Sequence, residues 1–211
     1  MSAKKLQPVV TVILDKSGSM QGVCQATIDG FNEYVRGLKG DMPDAMLGLT
    51  LFNHGVEPHE AEQVKNVEPL TPLTYRPSGS TSLYDAVCST LTSLKDKVAK
   101  DQKSLVVIIT DGEENTSTKY TEKHLANLVK ELEARGNWTF VFLGANQDAF
   151  ATASSWGVHK GNTANFNASG AGLGATWQAM SVSTGSMLRG QSLNTKAYFS
   201  KDQQDQLKNT K

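Results

Sequence analysis

Four nearly unbroken apolar runs punctuate the chain: Val9 to Leu14, Leu47 to Phe52, Leu105 to Thr110 and Thr139 to Leu143. Short runs rich in β-branched and aromatic residues predict strands buried on both faces, as the central strands of a parallel sheet are. Between them, apolar positions recur at three and four residues. Ile28, Phe31, Val35 and Leu38 form one stripe, and Leu83, Val87, Leu91, Leu94 and Val98 form another. Leu125, Leu128, Val129 and Leu132 form a third, stopped by Arg135-Gly136. Strand–helix alternation of this kind predicts an α/β fold, doubly wound, with a mostly parallel central sheet and helices on both faces.

Not every connection is helical. Asn53-His54-Gly55 after the second run, followed by a polar extended stretch from Val56 to His59, predicts a hairpin and one antiparallel edge strand. Residues 66–80 form a connection containing Pro69, Pro72 and Pro77 and ending in Ser78-Gly79-Ser80-Thr81-Ser82. A further strand is expected near Asn162 to Asn167 and a helix from about Ala171 to Leu188. The reading is a single domain over 1–190 and a polar tail, 191–211. In the tail Ser200 and Gln203 have the spacing of a helix cap, and part of it is expected to be loosely held. No internal repeat is present.

At 211 residues the chain is long enough for one domain with a substantial core. Lys and Arg number 21 and so do Asp and Glu, so no global field favours nucleic acid or an anionic membrane. The balance conceals an asymmetry: residues 1–148 carry 15 basic and 19 acidic side chains, residues 149–211 carry 6 and 2. From Ala149 to Lys201 there is no Asp or Glu, which reads as an uncharged polar surface. Cys24 and Cys88 lack zinc or redox spacing and read as buried free thiols, which suits a reducing compartment. The apolar runs are far shorter than the ~20 residues of a membrane span. Lys4-Lys5 before Leu6 to Leu14 has the order of a signal peptide, but the apolar part is short and no small-residue cleavage site follows. A soluble, cytoplasmic protein is expected.

The chemistry gathers at strand ends. Asp15-Lys16-Ser17-Gly18-Ser19 follows the first run, Ser80-Thr81 opens the Leu83 to Val98 helix, and Asp111-Gly112-Glu113 follows the third run. In open α/β sheets ligands bind beyond the carboxyl ends of the strands, so Asp15 and Asp111 are expected to face one point. A helix beginning at Thr81 would bring its free N–H groups close to it. Carboxylate and hydroxyl oxygens suit a hard cation.

In these residues the chain resembles the von Willebrand factor A (vWA) family and its metal-ion-dependent adhesion site. That site is built from Asp-x-Ser-x-Ser, a Thr in a Gly-x-Thr loop, and an Asp before Gly; Asp15, Ser17, Ser19, Thr81 and Asp111 fill these positions in order. The resemblance covers roughly residues 8–150. It implies Mg²⁺ or Mn²⁺ ligated by Ser17, Ser19 and Thr81, with Asp15 and Asp111 holding coordinating waters. An open coordination position would then accept an Asp or Glu carboxylate of a partner protein. Stand-alone intracellular members, bacterial and phage-type ones among them, act within multiprotein machines, some beside AAA+ ATPases. The resemblance implies a non-enzymatic docking module, with no nucleic acid and no membrane as partner.

The surrounding residues read more plainly. Lys16 reads as solvated, Gly18 as a tight bend between the serines, and Glu113 and Glu114 as a solvated loop. Asp85 reads as complementing the first-turn dipole of its helix. His54, His59, His124 and His159 are scattered without ligand spacing; Asn146 and Asp148 are candidates for the rim of the binding face. Gly170-Ala-Gly172-Leu-Gly174-Ala175 fits a dinucleotide pattern but follows a polar segment and lacks a downstream acid, so close helix packing is expected instead. Two other functions compete with metal-mediated docking. One is a vWA fold serving as a metal-independent scaffold. The other is a haloacid dehalogenase-type phosphatase with Asp15 as nucleophile, for which Ser17 stands where a second Asp is needed.

Overall fold

A computed structural model describes residues 6–145, 148–190 and 192–210. Its strands are β1 (Val9–Asp15), β2 (Met46–Phe52), β3 (Val56–Gln63), β4 (Ser104–Thr110), β5 (Trp138–Ala145) and β6 (Thr163–Phe166). The helices are α1 (Cys24–Asp41), α2 (Leu83–Leu94), α3 (Glu122–Glu133), α4 (Ala149–Ser155), α5 (Gly170–Arg189) and α6 (Lys201–Asn209). The strands form one sheet in the order β3-β2-β1-β4-β5-β6. All pairings are parallel except β2 with β3, so the sheet has one antiparallel edge strand.

The apolar runs are continuous because both faces of the inner strands are covered. Val10, Val12 and Leu14 of β1 pack on one side with Leu105, Val107 and Ile109 of β4, under α1 and α5. Ile13, Val106, Ile108, Phe140 and Phe142 pack on the other, under α2, α3 and α4. β3 carries exposed polar residues over most of its length, as an edge strand tolerates. The α1–α5 contact is close: a Cβ on Gly30 would lie 1.9 Å from Cδ1 of Trp177, whose ring also meets Phe31 and Tyr34. The glycine-rich run at 170–175 opens α5, where Ser169 Oγ accepts from Gly172 N at 3.0 Å and a Cβ on Gly172 would strike Asn167 O.

Two elements differ from expectation. α2 ends at Leu94 rather than Val98. The apolar spacing outlasts the helix because Val98 N still donates to Leu94 O in a closing turn, which returns Val98 to the same core. The tail is held down as well. Tyr198, Phe199 and Leu207 are buried in the α1–α5 cluster, while the Ser200–Gln203 cap opens α6 as its spacing predicts. Cys88 is buried and Cys24 half-buried; neither is in a disulfide. Among the described residues no helix is long and apolar enough to cross a membrane.

Candidate metal centre

Asp15 is the last residue of β1 and is fully buried. Its Oδ1 accepts from Ser17 N at 2.6 Å, a local turn that sends the chain away from the sheet, and its Oδ2 accepts from Thr110 Oγ1 at 2.6 Å. Ser17 and Ser19 flank the start of a 3₁₀ turn, Gly18–Val23, with their Oγ atoms 3.0 Å apart. Ser19 Oγ donates to Asp111 Oδ1 at 2.5 Å, which ties this turn to the end of β4. Thr81 enters from a third direction. It precedes α2 by two residues, is buried, and is fixed by Asn115, whose Oδ1 accepts from Thr81 N at 2.9 Å and whose N donates to Thr81 O at 3.0 Å.

Gly112 measures how closely these groups converge. A Cβ built there would lie 3.0 Å from Thr81 Oγ1, 3.4 Å from Ser19 Oγ and 3.8 Å from Asp15 Oδ2. One point on the third loop thus faces oxygens from the other two. The two carboxylates sit in low-dielectric surroundings. Burial pushes Asp15 up to about 6, opposed by its Thr110 and Ser17 hydrogen bonds and helped by the nearby charge of Asp111. Burial also raises Asp111, opposed by Ser19. Among the described residues, no Lys or Arg forms an ion pair with either. Buried carboxylates without a cation are costly, and a hard divalent ion would meet that deficit with the all-oxygen donor set present. Among the described residues no three His, Cys, Asp or Glu side chains gather as a metal cluster, so the hydroxyls are essential to any such site.

Several neighbours depart from their expected roles. Lys16 is not solvated: its ammonium pairs with Glu57 at 2.6 Å and its side chain is 11% exposed. Gly18 has no positive φ; its role is the close approach of Gly79, whose carbonyl accepts from Gly18 N at 2.9 Å. Gly79 itself sits at φ +74° and has His54 Nδ1 where a side chain would go. Glu113 is exposed as expected, but Glu114 turns inward, accepting from Tyr84 N at the start of α2 and from Thr116 N and Ser117 N. Asp85 does more than complement the helix dipole. It accepts from the backbone N–H groups of Thr118, Lys119 and Tyr120. Tyr75 had no sequence signal at all, yet its hydroxyl donates to Asp15 O at 2.6 Å. Asp148 caps α4 through Ala151 N, and Asn146 lies outside the described residues.

The sequence pattern described as the von Willebrand factor type A domain matches residues 10–170. The chain belongs to this family. No curated protein matches it. Among solved structures, this vWA domain is similar to proximal thread matrix protein 1 from the mussel byssus, with 18% identity and a TM-score of 0.58 over 82% of this chain. It spans 46% of that protein's chain. It is also similar to the SpRpn10 VWA domain, at 14% identity and TM-score 0.59, covering 82% of this chain and 95% of that one. A third likeness is to the manganese-loaded TRAP protein of Plasmodium vivax, at 19% identity and TM-score 0.56, covering 76% and 68%. At these identities the likeness is one of fold: a six-stranded, mostly parallel sheet flanked by helices.

Proposed function

We propose that this vWA domain is a protein-binding module that holds Mg²⁺ or Mn²⁺ among Asp15, Ser17, Ser19, Thr81 and Asp111 and docks an Asp or Glu carboxylate of a partner protein there. The observation that carries the reading is the convergence of Thr81, Ser19 and Asp15 oxygens on one point beside Gly112. When bound, the ion supplies an electrophilic coordination position for an incoming carboxylate. The chain's own residues set its strength. Ser17, Ser19 and Thr81 offer neutral oxygens, which leave most of a cation's charge uncompensated. Asp15 accepts from Ser17 N and Thr110, which aim its carboxylate, and Asp111 accepts from Ser19 and orients that hydroxyl.

We read the module as non-enzymatic. Ser17 stands where a phosphatase of this kind needs a second Asp, and it is no acid–base near neutral pH. The manganese in the Plasmodium protein is a precedent for this fold holding such an ion, and the unpaired thiols of Cys24 and Cys88 suit the cytoplasm. Calorimetric titration of Mg²⁺ and Mn²⁺ into wild type, Asp15→Ala and Thr81→Ala tests the reading. Saturable heat in wild type that both substitutions abolish is expected. A folded wild type that takes up neither ion overturns it in favour of a metal-independent scaffold.

A further inference from the structure

A cavity of about 410 Å³ lies on the α2 side of the sheet, at the end of the strands opposite the metal centre. Thr11 on its floor is four residues before Asp15, or about 13 Å along β1. The cavity exists because small residues face one another there. Thr11, Gly48 and Thr50 form the floor, where β4 and β5 present Val106, Ile108, Phe140 and Phe142 to the same layer. Ser89, Thr90 and Ser93 of α2 form the wall. A shift in the β2–β3 register between Leu47 and Leu49 coincides with Gly48, so the edge strand does not fill the gap. The result is a cleft that opens to solvent past Glu60 and Lys97 and reaches down to the sheet.

Its chemistry is that of a small-ligand site. Volumes of ~300–1,000 Å³, mostly apolar walls and a few placed polar groups are typical of such sites. Carbon dominates this lining, and the polar groups cluster at the floor. Thr90 Oγ1 donates to Thr50 Oγ1 at 3.1 Å, while Thr11 Oγ1 is buried without a hydrogen-bond partner. An unmet buried hydroxyl costs free energy that a partner atom can return, and Thr11 borders the cavity. No charged group lines the floor. At the mouth Lys97 and Glu60 form an exposed ion pair at 3.5 Å, a contact too weak to bar entry.

We propose that this cavity is a second binding site, for an uncharged, mostly apolar small molecule carrying one hydrogen-bonding group. It is independent of the metal centre. The test is fluorescence titration of the full chain with N-phenyl-1-naphthylamine, an uncharged two-ring probe with a single N–H. Gly48→Val fills the floor; its Cβ would meet Ala61 at 3.5 Å, an ordinary contact, so the strand can accept it. Ser93→Phe fills the cavity from an exposed position on the helix, which guards against a folding defect in the first variant. Saturable binding to wild type is expected, weakened at least tenfold in each filled variant. Thr11→Val, of similar shape without the hydroxyl, is expected to weaken it three- to tenfold. A wild type that does not bind saturably, or filled variants that fold and bind as tightly, overturns the site. Thr11→Val binding with undiminished affinity overturns the hydrogen-bonded part of the ligand class.

Discussion

Thr110 donates its hydroxyl hydrogen to Asp15 Oδ2 at 2.6 Å, joining the ends of two adjacent parallel strands. The same Oγ1 accepts from Gly112 N at 3.1 Å. One threonine therefore aims the Asp15 carboxylate and shapes the turn that follows Asp111. Thr110→Val keeps the shape and removes both bonds. Groups that orient metal ligands typically cost 10–100-fold in affinity when removed, so Mg²⁺ binding is expected to weaken by about 10-fold or more. Loss of the bond also raises Asp15 further, so protons compete with the ion to a higher pH. Calorimetry at two pH values reads both effects.

Asp85 supplies an acid-sensitive part of the stability. Burial raises its carboxyl, but the N–H groups of Thr118, Tyr120 and Lys119 and the Lys119 charge outweigh burial, and the net shift is downward. A group depressed in the folded state stabilises above its unfolded value and loses that contribution as pH falls through the folded one. Urea unfolding of wild type is thus expected to show falling stability below about pH 4, near the reference Asp value. Asp85→Asn removes this portion of the slope and lowers stability at pH 7 by about 2 kcal/mol, the scale of a hydrogen bond to a charged group.

Gly30 is the tightest point between α1 and α5. Gly30→Ala would set a methyl group against the indole of the buried Trp177. Overpacking of this kind costs roughly 1–3 kcal/mol, against a gain of up to ~1 kcal/mol in helix propensity. A net fall in Tm is expected, accompanied by a change in the near-ultraviolet circular dichroism of the tryptophan.

Leu207 is 1% exposed although it lies in the polar tail. Leu207→Ala is expected to destabilise by about 2–4 kcal/mol, as for other buried leucines. An exposed tail would give no change in thermal unfolding.

The inner strands were legible because burial on both faces leaves an unbroken apolar signature, and the helices because each buries one stripe. Ser17, Ser19 and Asp111 stand in a short motif and a strand end, and the fold brings them within hydrogen-bonding reach. What was hidden depends on distant partners. Lys16 looked solvated because Glu57 lies 41 positions away. Glu114 and Asp85 appear in the sequence as charges in a loop and on a helix; only the fold places backbone N–H groups around them. Tyr198, Phe199 and Leu207 have no helical or alternating period, so their burial left no pattern to read.

Asp85, Glu114 and Asn115 fasten residues 111–120 to the start of α2 through backbone hydrogen bonds. The ordering entropy of these loops is therefore met during folding rather than when a ligand arrives. If the proposed ion binds here, its uptake should run at the pace at which it sheds its water, and Mg²⁺ parts with water reluctantly.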